Sequence, residues 1–508
     1  MEKVVKNGLY ISIFTALSIP ASFFVRLILS HELSLAEFGF FYALIGFFDL
    51  IQSFNDFGFS EAQVYFIPKF IAQGRLDKIK ATIKVQLINQ IVTTGVMGLA
   101  IIFGSHWIAR HIFHFENASA TIALFVVYFI CKDFLLNIRN LFFAYQDAKV
   151  YGAQEVIRIF LTVSLLVIGM QVFPLNLTIA VVVWIIVHAM LAIAYTYVFA
   201  KKYAHVFSAP SYPLKNIYKE FFPILLPTLV ANKAGVLFGS GTETLLAIFK
   251  GVVDVGLYNV AKPIANLSLA IVAPFADVLK PYISEIDELR DYHKVQKLIT
   301  MILNAGTFIL LPFTAALMFY SKESIVFLFG IKFIAAAPIL KLISIEVFLL
   351  IMNSFVYGIV FGLGLQKKRA INIYIASSIA LLLSLILIPR FGPVGVALTN
   401  IGYSFFMVIS GLYIIYNKVR YVLPIKNFFL MGFLVLIFIL SQYIFKMFTS
   451  ESSAYQFLLF SIKASIGFVI YYVLGIFVFK LIDIPFLIKN VSQNIPPSVR
   501  RIIGKYTR

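Results

Sequence analysis

The chain has 508 residues, 61% of them hydrophobic and only 13% charged, with 42 Lys and Arg against 23 Asp and Glu for a formal net charge of +19. The charged share is about half that of a soluble globular protein. With a single cysteine, Cys131, this composition excludes a disordered chain, a disulfide scaffold and an ordinary soluble enzyme. About 20 apolar residues cross a bilayer, and backbone polar groups in lipid have to be satisfied within the segment, so an all-α polytopic membrane protein is expected.

In chain order, fourteen apolar stretches fall at about 8–30, 38–60, 82–104, 119–138, 156–173, 177–199, 221–242, 255–278, 298–320, 335–363, 371–389, 394–416, 427–447 and 456–482. Lys3 and Lys6 precede the first, as in a signal peptide, but that run is long and contains Arg26, so it is read as a retained span. An even number of spans puts both termini on one side. Counted with the loop each adjoins, 30 of the 42 Lys and Arg belong to the N-terminus, the even-numbered loops and the C-terminal tail. The odd-numbered loops hold 7, and the remaining 5 lie within spans. Basic loops stay cytoplasmic, so both termini are placed inside, and the tail from Lys489 to Arg508 is set against anionic headgroups. The same bias accounts for the basic charge without a nucleic-acid partner.

A repeat underlies the order of the spans. Glu37-Phe-Gly39-Phe-Phe41 opens span two and Asp254-Val-Gly256-Leu-Tyr258 opens span eight, at an offset of 217. Lys78-Ile79 and Lys294-Val295 precede spans three and nine, Gln146 and Gln366 precede spans five and eleven, and Pro174 and Pro393 follow them, at offsets of 216 to 220. Four matches in order at nearly one offset predict two six-helix lobes in the same orientation, a transporter plan with the substrate path between halves. The expected organisation is an N-terminal lobe over 1–200, an inter-lobe linker over 201–220, a C-terminal lobe over 221–416, two further spans over 427–482 and a basic tail over 483–508.

Catalytic and metal-binding motifs are missing: there is no GxxxxGK[ST], HExxH or CxxC, and no loop is long enough for a catalytic domain. An enzyme, a bound cofactor and a metal centre are therefore not expected. His106, His111 and His114 are read as one interfacial exterior loop. The chemistry lies instead in charges within spans, each of which is costly in lipid. Lys233 lies roughly 18 Å from the inner surface and Lys262 roughly 10 Å from the outer one, at 1.5 Å per residue, while Arg26 is near the outer end of span one. Asp49 is near the middle of span two, Lys132 and Asp133 are in the inner half of span four, and Glu243 closes span seven. Asp133 and Lys132 point about 100° apart on a helix, so each is expected to have its own partner. Basic groups at mid-depth attract an anion such as a phosphate or diphosphate headgroup.

Leu35-Ala-Glu-Phe-Gly39-Phe-Phe-Tyr42, Asn55-Asp-Phe-Gly58-Phe-Ser60-Glu-Ala62 and Asp254-Val-Gly256-Leu-Tyr258-Asn-Val-Ala261-Lys262 resemble segments of the Wzx-type oligosaccharide flippases. Those belong to the multidrug/oligosaccharidyl-lipid/polysaccharide exporter superfamily, and the likeness in length, span count and loop order covers the whole chain. The resemblance implies two six-helix lobes forming a V, two extra helices, and alternating access in the plasma membrane of a prokaryote. It implies a polyprenyl-diphosphate-linked oligosaccharide as substrate, with membrane lipids, glycosyltransferases and a polymerase as partners. Lys262 carries over as a headgroup-binding residue directly, Lys233 and Arg26 by region. Asp49, Glu243, Lys132 and Asp133 are the expected coupling or charge-partner residues. In span seven, where the family often has an acidic residue, this chain has Lys233 and then Glu243, which leaves the coupling ion open. A cation-coupled multidrug antiporter of the same superfamily and a non-transporting membrane component of glycan assembly are the alternatives.

Overall fold

The computed structural model describes residues 2–115, 118–223, 225, 240–288, 290–447, 455–479 and 481. Lys233 and the basic tail lie outside them. The described residues form helices and turns without a strand. The first half comprises α1 (Glu2–Glu32), α2 (Leu35–Asn55), α3 (Phe59–Ala72), α4 (Leu76–His111), α5 (Ser119–Ala144), α6 (Ala148–Val172) and α7 (Leu177–Lys202). Short helices α8 (Ala204–Phe207) and α9 (214–223) lead to α10 (Ser240–Lys250), α11 (Val252–Glu288), α12 (Tyr292–Phe319) and α13 (Ser321–Phe329). Then come a 3₁₀ segment (Ile331–Ala336), α14 (Ala337–Gly362), α15 (Gln366–Phe391), α16 (Pro393–Val419), α17 (Ile425–Met447) and α18 (Tyr455–Val473), which ends in a π-helical turn (Leu474–Val478). Ten helices among the described residues are long and apolar enough to cross a membrane.

Local chemistry sets several boundaries. Ser34 and Glu37 form a capping box at the start of α2, with the Ser34 amide donating to Glu37 Oε2 at 3.0 Å and the Glu37 amide to Ser34 Oγ at 3.3 Å. The apolar stretch expected over 38–60 does not run through. It breaks at Asn55, where Phe57 (φ 50°) and Gly58 (φ 85°) turn the chain and release the amphipathic α3. Asn176 caps α7 and Asp291 caps α12 with side-chain oxygens. Pro338 sits at the start of α14, where its missing N–H costs nothing. Between the expected spans over 298–320 and 335–363 the chain forms α13 followed by the 3₁₀ turn rather than an irregular loop.

In the first half, α5 packs on α7 and α4, and α1 on α6. In the second, α14 packs on α11 and α16, and α15 on α16. The core of the first half is aromatic: Phe41 meets Trp184 edge-on at 4.8 Å, and Phe48 lies 5.2 and 5.5 Å from Phe125 and Phe129. All five rings are nearly inaccessible, and their interdigitation fixes α2 against α5 and α7. The halves touch through α2 with α10 and α11, and through α1 with α11 and α13. Phe23 of α1 meets Phe329 of α13 at 5.7 Å, and Phe38 of α2 meets Phe333 of the 3₁₀ segment at 5.5 Å. Helices α17 and α18 pack on each other and on α12, outside this arrangement.

A cationic cavity as candidate functional site

Between the halves lies a cavity of about 560 Å³, walled by α1, α2, α5, α6 and α7 on one side and α10 and α11 on the other. Among the described residues, five basic side chains line it: Arg26, Lys132, Arg139, Arg158 and Lys262. Three carboxylates oppose them: Asp49, Glu155 and Glu243. Five against three leaves an excess of two positive charges. Such an excess in a membrane-embedded hollow attracts anions and is tolerable only with water or a counter-ion.

Each carboxylate is engaged. Lys132 pairs with Asp49 across α5 and α2. Arg158 pairs with Glu155 one turn back on α6, at 2.5 Å. Lys262 donates to Glu243 at 2.8 Å, joining α11 to α10, and Asn259 supports the same carboxylate at 3.4 Å. Arg26 and Arg139 have no carboxylate within ion-pair distance among the described residues. Arg26 lies over the Tyr42 ring at 5.1 Å and Arg139 over the Tyr151 ring at 4.4 Å, which supports the guanidinium faces but leaves their edges free. The Nε of each is buried without a hydrogen-bond acceptor. Two planar donor forks with unfilled positions, in one cavity, suit the oxygens of phosphate or carboxylate. Tyr42, Tyr128 and Trp184 add aromatic surface to the wall. His188 is buried beside them, its Nδ1 2.7 Å from the Trp184 carbonyl and its ring 4.8 Å from Tyr128.

Of the residues expected from sequence, the cavity gathers Arg26, Asp49, Lys132, Glu243 and Lys262. Asp133 faces elsewhere, as its position beside Lys132 on a helix requires. It lines a separate polar hollow between α2, α4 and α5, where it accepts from Thr94, Asn55 and Gln52. Arg139, Glu155 and Arg158 were not expected. Hydropathy ends span four at 138 and begins span five at 156, which puts these charges at membrane edges, whereas α5 runs to Ala144 and α6 starts at Ala148. The signal was available in the Glu155–Arg158 spacing, which puts both on one helix face. The three histidines near 110 do not share a loop: His106 and His111 belong to α4, and His114 lies 3.1 Å from the Ile248 carbonyl.

A bundle of membrane-length helices in two packed halves around a charged central cavity defines a multi-pass helical membrane protein. The chain belongs to the polysaccharide biosynthesis protein family, whose model matches residues 4–287. The uncharacterized membrane protein MJ1068 of Methanocaldococcus jannaschii is 24% identical over 432 residues, which span 82% of this chain and 84% of that protein. Among solved structures, an inward closed conformation of the lipid II flippase MurJ is similar with a TM-score of 0.68 at 16% identity, over 93% of this chain and 99% of that one. An inward-facing multidrug resistance MATE family transporter of the MOP superfamily is similar with a TM-score of 0.61 at 13% identity, over 80% of this chain and 94% of that one. At these identities the likeness is one of fold.

Proposed function

We propose that this chain is an alternating-access flippase that moves a polyprenyl-diphosphate-linked oligosaccharide from the cytoplasmic to the exterior leaflet for surface polysaccharide synthesis. The observation that carries the reading is the pair of arginines, Arg26 and Arg139, with unfilled donor positions in a cavity that already holds a positive excess. A diphosphate fills those positions, and Lys262, Lys132 and Arg158 supply further charge once it draws them from their carboxylates. Lys233 joins this set on its sequence position alone. Asp49 and Glu243 are the groups whose pairing changes as the anion enters, so they are the coupling candidates. The cavity's aromatic wall suits the first sugar, and the lipid tail stays in the bilayer.

In this reading the lobes are 1–200 and 221–416, joined by the linker over 201–220. The spans over 427–482 complete fourteen, and both termini face the cytoplasm of a prokaryotic plasma membrane. Glycosyltransferases of the same pathway make the substrate and a polymerase consumes it. The basic excess opposes a cationic drug as cargo, and no step of the reading requires catalysis.

The test is reconstitution. Liposomes holding the purified chain and a fluorescent polyprenyl-diphosphate glycan should expose the glycan on the opposite leaflet. Arg26→Ala with Arg139→Ala should reduce the rate by about tenfold or more, the cost of one lost charge-assisted hydrogen bond being at least about 1.5 kcal/mol. An unchanged rate in a folded double variant would remove the headgroup role.

A further inference from the structure

The hollow that receives Asp133 is a second site, and it has the opposite character. It encloses about 120 Å³ between α2, α4 and α5 and, among the described residues, is lined by two carboxylates, Asp56 and Asp133, with amides and hydroxyls but no Lys, Arg or His. Asp133 is 8% exposed. Its oxygens accept from Thr94 Oγ1, from Asn55 Nδ2 at 3.0 Å and from Gln52 Nε2 at 3.2 Å. Asp56 accepts from the Ser60 amide at 3.0 Å and from Gln86 Nε2 at 3.1 Å.

These bonds fix the orientation of the two amides. Asn55 and Gln86 turn their nitrogens to the carboxylates, and so their oxygens, Asn55 Oδ1 and Gln86 Oε1, are left buried without any donor. Both residues are almost inaccessible, at 1% and 2%. Buried acceptors are normally satisfied, and buried carboxylates are normally paired with a cation or bound to one. Water could serve the amide oxygens, but it could not balance two carboxylates in a hollow without a basic side chain. A proton on one carboxylate would balance one charge and leave both amide oxygens unfilled. A small monovalent cation balances one charge as a proton does, and it also takes both amide oxygens as ligands, which a proton on a carboxylate cannot.

We propose that this hollow binds a monovalent cation, Na⁺, between Asp133, Asp56, Asn55 Oδ1 and Gln86 Oε1. The volume leaves room for the ion and a few waters, each of which occupies about 30 Å³. Hydrogen bonds already disperse the charge of both carboxylates, and the remaining ligands are neutral, so the site is weak-field and suits a single charge better than two. Asp133 neighbours Lys132 on α5, so an ion here bears on the helix that also carries Lys132 and Arg139 of the cationic cavity.

The experiment is ²²Na⁺ binding to the purified full chain in detergent, with choline as background salt and no glycan lipid present. Its failure therefore leaves the reading of the cationic cavity untouched. Saturable binding displaced by unlabelled Na⁺, abolished by Asp133→Asn and weakened about tenfold or more by Gln86→Met, is the expected result. Because Asp133→Asn could fail to fold, the unaltered chain is also melted in NaCl, KCl, CaCl₂ and choline chloride, and NaCl should raise Tm most. No saturable binding and equal Tm in all salts would mean water alone and overturn the proposal. Stabilisation by acid without ²²Na⁺ binding would mean a proton, and CaCl₂ outstripping NaCl would mean a divalent ion; either overturns it. So would binding that survives Asp133→Asn but is lost in Asp49→Asn, which would put the ion in the other cavity.

Discussion

Gly39 on α2 and Gly256 on α11 lie back to back. A Cβ on Gly256 would stand 3.1 Å from the Gly39 Cα, and one on Gly39 would stand 1.9 Å from the Val252 carbonyl oxygen. The two glycines hold matching places in the segments that repeat at an offset of 217, so the two copies of one motif cross each other where the halves meet. The glycine is there because two backbones approach, a use that permits no side chain.

Gly39→Ala should therefore force α2 and α11 apart. The obstacle is backbone, which cannot rotate away, so the cost should reach about 1–3 kcal/mol or more. A fall in Tm in detergent measures it, and Gly256→Ala, with contacts no closer than 3.1 Å, should fall less.

The cavity can be watched directly. The chain has two tryptophans, and Trp184 lines the cavity while Trp107 is 59% exposed on α4. In a Trp107→Phe background, pyrophosphate should change the fluorescence of Trp184 saturably. Arg26→Ala or Arg139→Ala should each weaken the apparent affinity about tenfold, from the loss of a charge-assisted contact. Raising the salt should weaken it further, since chloride competes for the same guanidinium edges.

How far this arrangement was legible in the sequence depends on the physics of each part. Spans were legible because burial in lipid demands long apolar runs, and Arg26, Lys132 and Lys262 stood out because a charge inside such a run has few tolerable explanations. Arg139 and Arg158 did not stand out. They lie where hydropathy fades, and a charge near a helix end reads as snorkelling until the tertiary packing turns it inward. The break at Asn55 was partly legible: Asn55-Asp56-Phe57-Gly58 holds turn-forming residues, but the apolar average around them carries the expected span to 60, and the positive φ at Phe57 and Gly58 reveals the turn. The separation of Asp133 from Lys132 was legible from helix geometry, but the hollow that receives Asp133 was not. Its donors come from α2 and α4, between 39 and 81 residues away in sequence.

Lys262 and Glu243 offer a test of pairing against transport. Removing one partner leaves the other uncompensated in the membrane, which cavity water reaching the Lys262 side chain (31% exposed) relieves in part. Lys262→Met alone should cost about 1–2 kcal/mol of stability after that discount. Lys262→Met combined with Glu243→Met should recover most of it, because both charges are then gone. Glycan exposure should not recover. Separate Tm and transport measurements distinguish the two roles, and a double variant that flips substrate normally would make the pair purely structural.

At the end of α1, polar contacts join the halves beside the aromatic ones. His31 Nε2 lies 3.0 Å from the Leu328 carbonyl, and Lys332 Nζ donates to the Leu33 carbonyl at 2.9 Å, so the end of α1 is tied to α13 and the turn after it. Lys332 replaces water with a backbone acceptor, and the net gain of such a charged bond at a partly exposed site is about 1 kcal/mol. That amount changes a two-state ratio about fivefold. Lys332→Met removes the donor together with the ammonium that lies 5.4 Å from the Phe333 ring centroid, so it should shift the equilibrium toward separation of the halves at this end without unfolding the bundle. Spin labels at Glu32→Cys and Lys322→Cys, in a Cys131→Ser background, report that separation as a longer distance population. An unchanged distance distribution would mean that the aromatic contacts of Phe23 and Phe38 hold the end closed without Lys332, and that opening this end has to break those instead.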